Sequence, residues 1–251
     1  MKKILFMLIC FLVLCSSAYA NTISWTDWTS GNGNTYYGTL TTPTAIVDVE
    51  YYNERGVGFA QLDGTGIDYW QNGRNGRNED TSPYTSDIVE NIPTGTDIIA
   101  LRYAGTQTLS FSQTIANPIF SYVSLNGNGY AFDQDFEILS FGNISDGNDI
   151  GYWGAGTSYK VVVDLGGGNY EYQLLGTGEP HGTIRFTGAF DTVTWRSLSN
   201  EYWNGFTVGV EGTAEEIFDN QDSSSVPEPA TFILFGLGIL GIAGMNRKKT
   251  A

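Results

Sequence analysis

Short runs of β-branched and aromatic residues, alternating with polar ones, recur along most of the chain. They occupy residues 44–52 (TAIVDVEYY), 108–115 (TLSFSQTI), 118–125 (PIFSYVSL) and 158–165 (SYKVVVDL). Four more lie at 170–175 (YEYQLL), 182–188 (GTIRFTG), 191–197 (DTVTWRS) and 205–210 (GFTVGV). Each is bounded by Gly, Asn, Asp or Pro, residues that end strands. Within GTIRFTG, Ile184 and Phe186 share one face while Arg185 points to the other. Gly166, Gly167, Gly168 and Asn169 tolerate positive φ and read as the turn of a hairpin between two of these runs. Between residue 21 and the C-terminal region, no stretch keeps a helical stripe for three turns. Regularly spaced strands with turn-rich joints predict an all-β single domain over residues 21–220, an antiparallel β-sandwich or jelly roll. Residues 71–87, with a repeated Asn-Gly-Arg, and residues 142–158, dense in Gly, Asn and Asp, read as long loops.

The two ends break this pattern. Lys2 and Lys3 precede an apolar run from Ile4 to Leu14, and Ala18-Tyr19-Ala20 is a small-x-small site. These are the parts of a secretory signal peptide, residues 1–20, cut by signal peptidase after Ala20. A lipoprotein signal would need a small residue before Cys15, and Leu14 stands there. At the other end, residues 221–229 form a polar linker that includes Val226-Pro227-Glu228-Pro229. Two prolines this close cannot both sit in a regular helix, so the linker reads as extended and exposed. Residues 230–251 hold an apolar segment, from about Phe232 to Met245, and a basic tip of Arg247, Lys248 and Lys249. As a helix the segment spans roughly 21 to 25 Å, short of the ~30 Å hydrocarbon thickness. The basic tip stays cytoplasmic by the positive-inside rule, which puts the body outside.

Charge and cysteine content narrow the function. The chain carries a net charge of -15, and the body alone is more negative, because five of the basic residues lie in the two ends. Phosphate backbones are repelled, which argues against nucleic acid as a partner. Both cysteines, Cys10 and Cys15, fall within the signal peptide. The exported chain therefore has no thiol for catalysis or disulfide bonding and depends on its core for stability.

Candidate chemistry is sparse. The only histidine, His181, sits in GTGEPHGTIRF and reads as a turn or strand-end residue fixing local hydrogen bonds. No serine occupies a nucleophile elbow. Asp133, Asp135 and Glu137 are spaced to share one strand face, a pairing that suits glycoside hydrolysis. Asp146 and Asp149, in NISDGNDIG, offer oxygen ligands for Ca2+ on a flexible loop, although the spacing is not that of an EF-hand and such residues commonly form Asx turns. Six tryptophans are many for one domain. Trp195 alternates with Val193 and reads as core. Trp153 (GYWGAG) and Trp203 (NEYWNGF) sit in turn-rich sequence, where exposed rings can stack on sugars; the competing reading is core packing.

Pro227-Glu228-Pro229, the short apolar segment and the basic cluster together resemble the PEP-CTERM sorting signal of Gram-negative bacteria. The resemblance implies recognition by exosortase, a membrane-embedded cysteine protease/transpeptidase, in species that often make extracellular polysaccharide. The tail is then an address holding the protein at the inner membrane only transiently. Segments between residues 108 and 212 also resemble the β-rich ectodomains of such proteins and carry no catalytic residues over. The resulting expectation is an exported surface or matrix protein, structural or carbohydrate-binding, in exopolysaccharide or biofilm. The alternative is an extracellular glycan hydrolase using Asp/Glu. Replacing Pro227-Glu228-Pro229 by Ala-Ala-Ala is expected to trap an uncleaved, membrane-bound form, read by fractionation and mass; release of that variant at normal size would refute the sorting role.

Overall fold

A computed structural model of the protein describes residues 21–142 and 150–219. In chain order the strands are β1 (Ser24–Trp25), β2 (Asp27–Asn32), β3 (Thr35–Thr41), β4 (Ile46–Asn53), β5 (Phe59–Gln61), β6 (Ile98–Leu101), β7 (Gly105–Ala116) and β8 (Ile119–Val123). They continue as β9 (Gly129–Phe132), β10 (Phe136–Phe141), β11 (Gly156–Gly166), β12 (Asn169–Gly178), β13 (Gly182–Phe186), β14 (Ala189–Ser197), β15 (Asn204–Val210) and β16 (Gly212–Thr213). Among the described residues the named strands pair antiparallel, with one isolated parallel bridge, Asn21 to Val89. One sheet runs β10-β13-β8-β15-β6-β5, with β1 beside the end of β15. The other runs β11-β12-β9-β14-β7-β4-β3-β2, with β16 beside β7. The all-β sandwich expected from the periodicity is the fold observed.

Inner-face aromatics hold the sheets together. Trp195 of the larger sheet meets Phe120 and Phe206 of the smaller edge-on, with centroids 5.4 and 5.1 Å apart. Tyr51 lies 5.1 Å from Phe206, and Phe132 lies 5.0 Å from Phe186, again between sheets. All six rings are buried. Full burial of one such side chain stabilises by roughly 1.5–3 kcal/mol, and edge-to-face rings add to that. Polar bonds cross the same interface: Trp28 Nε1 donates to Thr207 Oγ1 at 3.3 Å, and the Tyr130 hydroxyl donates to Asn204 Oδ1.

The two sheets differ in how they meet solvent. In β4 every second residue is buried, the signature of one wet face. In β6, β8 and β15 every residue is buried. The smaller sheet is covered on its second face by the connection from β5 to β6, residues 62–97. Trp70 and Tyr84 of that connection are fully buried against Ile98 and Val123. Thus residues 71–87 lack strands, as their composition predicts, but form a packed layer with one short 3-10 turn, Glu79–Thr81. Asp97 fixes its far end, accepting from the Trp28 backbone N–H at 3.0 Å and from that of Gly64 at 2.7 Å.

The eight alternating runs correspond to β4, β7, β8 and β11 to β15. Gly167 and Gly168, at φ +66° and +83°, make the hairpin turn between β11 and β12. The other strands give weaker signals. β6 and β9 are short and buried on both faces, so they show no alternation, and β2 is polar and exposed along most of its length. One expectation fails. Asp133 and Asp135 belong to the turn between β9 and β10, and only Glu137 is in a strand. The two-residue spacing does not place the three acids on a common face, because the chain reverses there.

Candidate functional site

Four segments bring aromatic rings to one end of the loop-covered sheet. Phe59 comes from β5, Tyr69 from the covering layer, Tyr152 and Trp153 from a turn before β11, and Trp203 from the approach to β15. Tyr69 is central. Its ring lies 4.8 Å from Trp203, 5.1 Å from Tyr152 and 6.3 Å from Trp153. Trp203 also packs edge-on to Phe59 at 5.1 Å and lies 6.5 Å from Trp153. The two tryptophans singled out from sequence therefore belong to one cluster. Exposure is graded across it. Tyr69 is buried, Trp203 half-buried, and Trp153 42% exposed. Trp203 corrects the expectation of an exposed ring, since Phe59 and Tyr69 enclose it, while its neighbour Tyr202 projects into solvent.

Arg74 caps the outer ring. Its guanidinium carbon lies 4.4 Å from the Trp153 centroid and 4.9 Å from that of Tyr152, within cation–π range. Arg74 takes φ +66° directly after Gly73 at +54°, so the chain holds a non-glycine residue in the left-handed region to aim this side chain. Its twin in the repeated Asn-Gly-Arg does different work. Arg77 is forked onto Asp68 at 2.8 and 3.0 Å and donates to the carbonyls of Pro93 and Gly95. Arg77 thus locks the loop, and Arg74 has no carboxylate partner among the described residues.

The turn bearing Tyr152 and Trp153 rests on His181. Gly151 and Gly154 close it, the Gly154 N–H donating to the Gly151 carbonyl at 3.0 Å. A β-carbon on Gly151 would fall 2.0 Å from His181 Cδ2, so only glycine lets the turn settle on the ring. His181 is fully buried, and its Nδ1 lies 2.6 Å from the Glu179 carbonyl. Nδ1 must carry the proton to make that bond, which leaves Nε2 bare and unpartnered. Burial lowers the imidazole pKa to about 4, against the smaller opposing effect of the Glu179 bond.

Acidic groups form two further features. A surface cavity of about 580 Å³ is lined by Gln134, Asp135, Glu137, Lys160, Thr187 and Phe190, among others. Its acids are engaged, Asp135 with Lys160 and Glu137 with Arg185, each at 2.8 Å. The second feature is one the sequence reading did not find. Burial pushes Glu201 up to about 7, with the Glu179 charge adding to it and bonds from Asn204 and Asn126 opposing. No local motif marks Glu201; its environment comes from the loop around Asn126 folding onto it.

Asp146 and Asp149 lie outside the described residues, as do Ala20, Pro227, Glu228, Pro229, Arg247, Lys248 and Lys249. Among the described residues, no group of three or more His, Asp or Glu is placed to hold a metal, and no helix is long and apolar enough to cross a membrane.

A model of the PEP-CTERM protein-sorting motif matches residues 225–248. The chain carries a PEP-CTERM sorting motif. It is an exported protein processed by exosortase, with a β-rich ectodomain. The match takes in Pro227, Glu228, Pro229, Arg247 and Lys248, and Lys249 follows one residue later. Neither a curated protein nor a solved structure matches the chain.

His181 ties the site to pH. Between pH 6.5 and about 4 the unfolded chain protonates this imidazole and the folded chain does not, so stability rises with pH across that window. Its contribution is expected to change by ~1.4 kcal/mol per pH unit there. Urea unfolding from pH 4.5 to 6.5 is expected to show that much less slope in His181→Asn than in the parent; equal slopes would contradict the assignment.

Proposed function

We propose that the ectodomain binds a sugar chain across the Trp153 platform, and that the protein serves as a carbohydrate-binding component of an extracellular polysaccharide or biofilm matrix at the surface of a Gram-negative cell. The observation that carries this reading is the half-exposed Trp153 ring packed against Tyr69, Tyr152 and Trp203, with the Arg74 guanidinium over one face of it and its exposed edge toward solvent. A pyranose offers a C–H face to an indole and hydroxyls to surrounding donors, and Arg74 has no carboxylate partner among the described residues. Rigid aromatic surface binds at low entropic cost. The strong negative charge of the chain favours neutral glycans, because a polyanion would be repelled at long range.

A second reading rests on Glu201. A carboxyl titrating near 7 is poised to donate a proton at neutral pH, the property of the acid in glycoside hydrolysis. Its test is the release of reducing ends from the bound polysaccharide, lost in Glu201→Gln. No release from the parent protein would exclude it.

For the platform, affinity electrophoresis of the exported, processed protein in gels containing the host's neutral polysaccharide is expected to show retardation. Trp153→Ala is expected to weaken it by about tenfold. Tyr37→Ala, an equally exposed ring on the larger sheet, leaves it unchanged. Equal retardation in Trp153→Ala, or none in the parent, would overturn the reading.

A further inference from the structure

β11 ends the larger sheet, and among the described residues it has no ladder partner on its outer side. Its hairpin with β12 extends beyond the rest of the sheet, since β9 pairs only with Tyr172 to Leu175. The hairpin also carries a concentration of exposed apolar surface: Tyr159, Val162, Leu165 and Tyr170 are 46%, 51%, 62% and 46% exposed. A long apolar strand with open backbone groups is the surface that natural sheets normally block. β11 contains no proline and one lysine.

We propose that β11 is the interface of a homodimer, pairing antiparallel with β11 of a second copy about a two-fold axis through Val162. The argument is the register. In such an isologous pair, opposed residue numbers add to a constant, and the pleat brings together only residues of one face, so the axis passes through a single residue. With the axis at Val162, Lys160 of each copy faces Asp164 of the other. Val161 then meets Val163, and Val162 meets itself, while Leu165 falls in the irregularity between Asp164 and Gly166. Every other nearby register loses this match. An axis at Lys160 or Asp164 opposes like charges, and one at Val161 or Val163 sets Lys160 and Asp164 against Val, Ser or Gly. Charge and apolar complementarity thus select the same register, and its partner is another copy of this chain.

The charged groups have capacity for the pairing. Lys160 Nζ donates to Asp135 Oδ1 and to the Phe136 carbonyl, each at 2.8 Å, which leaves one N–H. Asp164 uses Oδ1 to accept from the Gly166 N–H at 2.7 Å, which leaves Oδ2. The dimer would join two copies of the larger sheet into one continuous sheet and remove the exposed edge.

Sedimentation velocity of the exported, processed protein at about 100 μM is expected to show a dimer. Asp164→Lys and Lys160→Glu each place like charges opposite one another, twice per dimer, and each alone is expected to weaken association by about tenfold or more. An equimolar mixture of the two variants restores opposite charges at both positions and is expected to recover the dimer as a heterodimer. That recovery also shows that both variants remain folded. A monomeric parent, unchanged association in either variant, failure of the mixture to recover, or open-ended polymers in place of a dimer would each overturn the proposal.

Discussion

The contact between the inner faces of the two sheets is the interaction on which the remaining structure depends. With no cysteine after residue 20, no covalent link can hold the sheets in register outside the cell. Trp195, Phe120, Phe206, Tyr51, Phe132 and Phe186 do so instead, edge to face, and Trp28 Nε1 donates across the same gap to Thr207 Oγ1. Because each ring fits between others, the relative position of the sheets is fixed to within a fraction of a ring width, as close packing requires. Everything mounted on the sheets inherits that precision.

The covering layer of the smaller sheet extends the same logic outward. Residues 62–97 have little regular structure, yet the buried Trp70 and Tyr84, the Arg77–Asp68 fork and the Asp97 carboxylate tie them down at several points. A loop fastened in this way can present a side chain as reliably as a strand does. The Trp153 platform exploits this: one of its walls is the layer itself, through Tyr69 and Arg74, and another is a glycine turn seated on buried His181. The neutral, buried imidazole is an acid-sensitive element directly beneath the surface proposed to bind glycan.

Cations are scarce in this acidic body, so their placement is informative. Arg77, Lys160, Arg185 and Arg196 are each committed to a carboxylate. Arg74 is spent on aromatic rings, an unusual use in a chain so rich in acids. Lys160 serves its own copy and retains one donor at the open edge of β11. The platform and the edge occupy neighbouring parts of the chain, because β11 begins three residues after Trp153, but the roles proposed for them call on different chemistry.

The sequence by itself determined the all-β class, eight of the strands, the β11–β12 hairpin and the address written in the tail. These follow from local rules: alternation on a pleat, glycine at positive φ, and proline and charge at a membrane boundary. It also pointed to Trp153 and Trp203, through turn-rich surroundings. Only the tertiary structure decided that these two rings meet, that Tyr69 and Phe59 enclose Trp203, and that one Arg of a repeated tripeptide is a clamp while the other is a cap. It also separated Asp133 and Asp135 from the strand that holds Glu137, and surrounded Glu201 with groups that raise its pKa. The reason is common to all of them: each depends on segments far apart in sequence being brought together, and desolvation, ring stacking and charge pairing act between neighbours in space, which residue spacing along one segment does not encode.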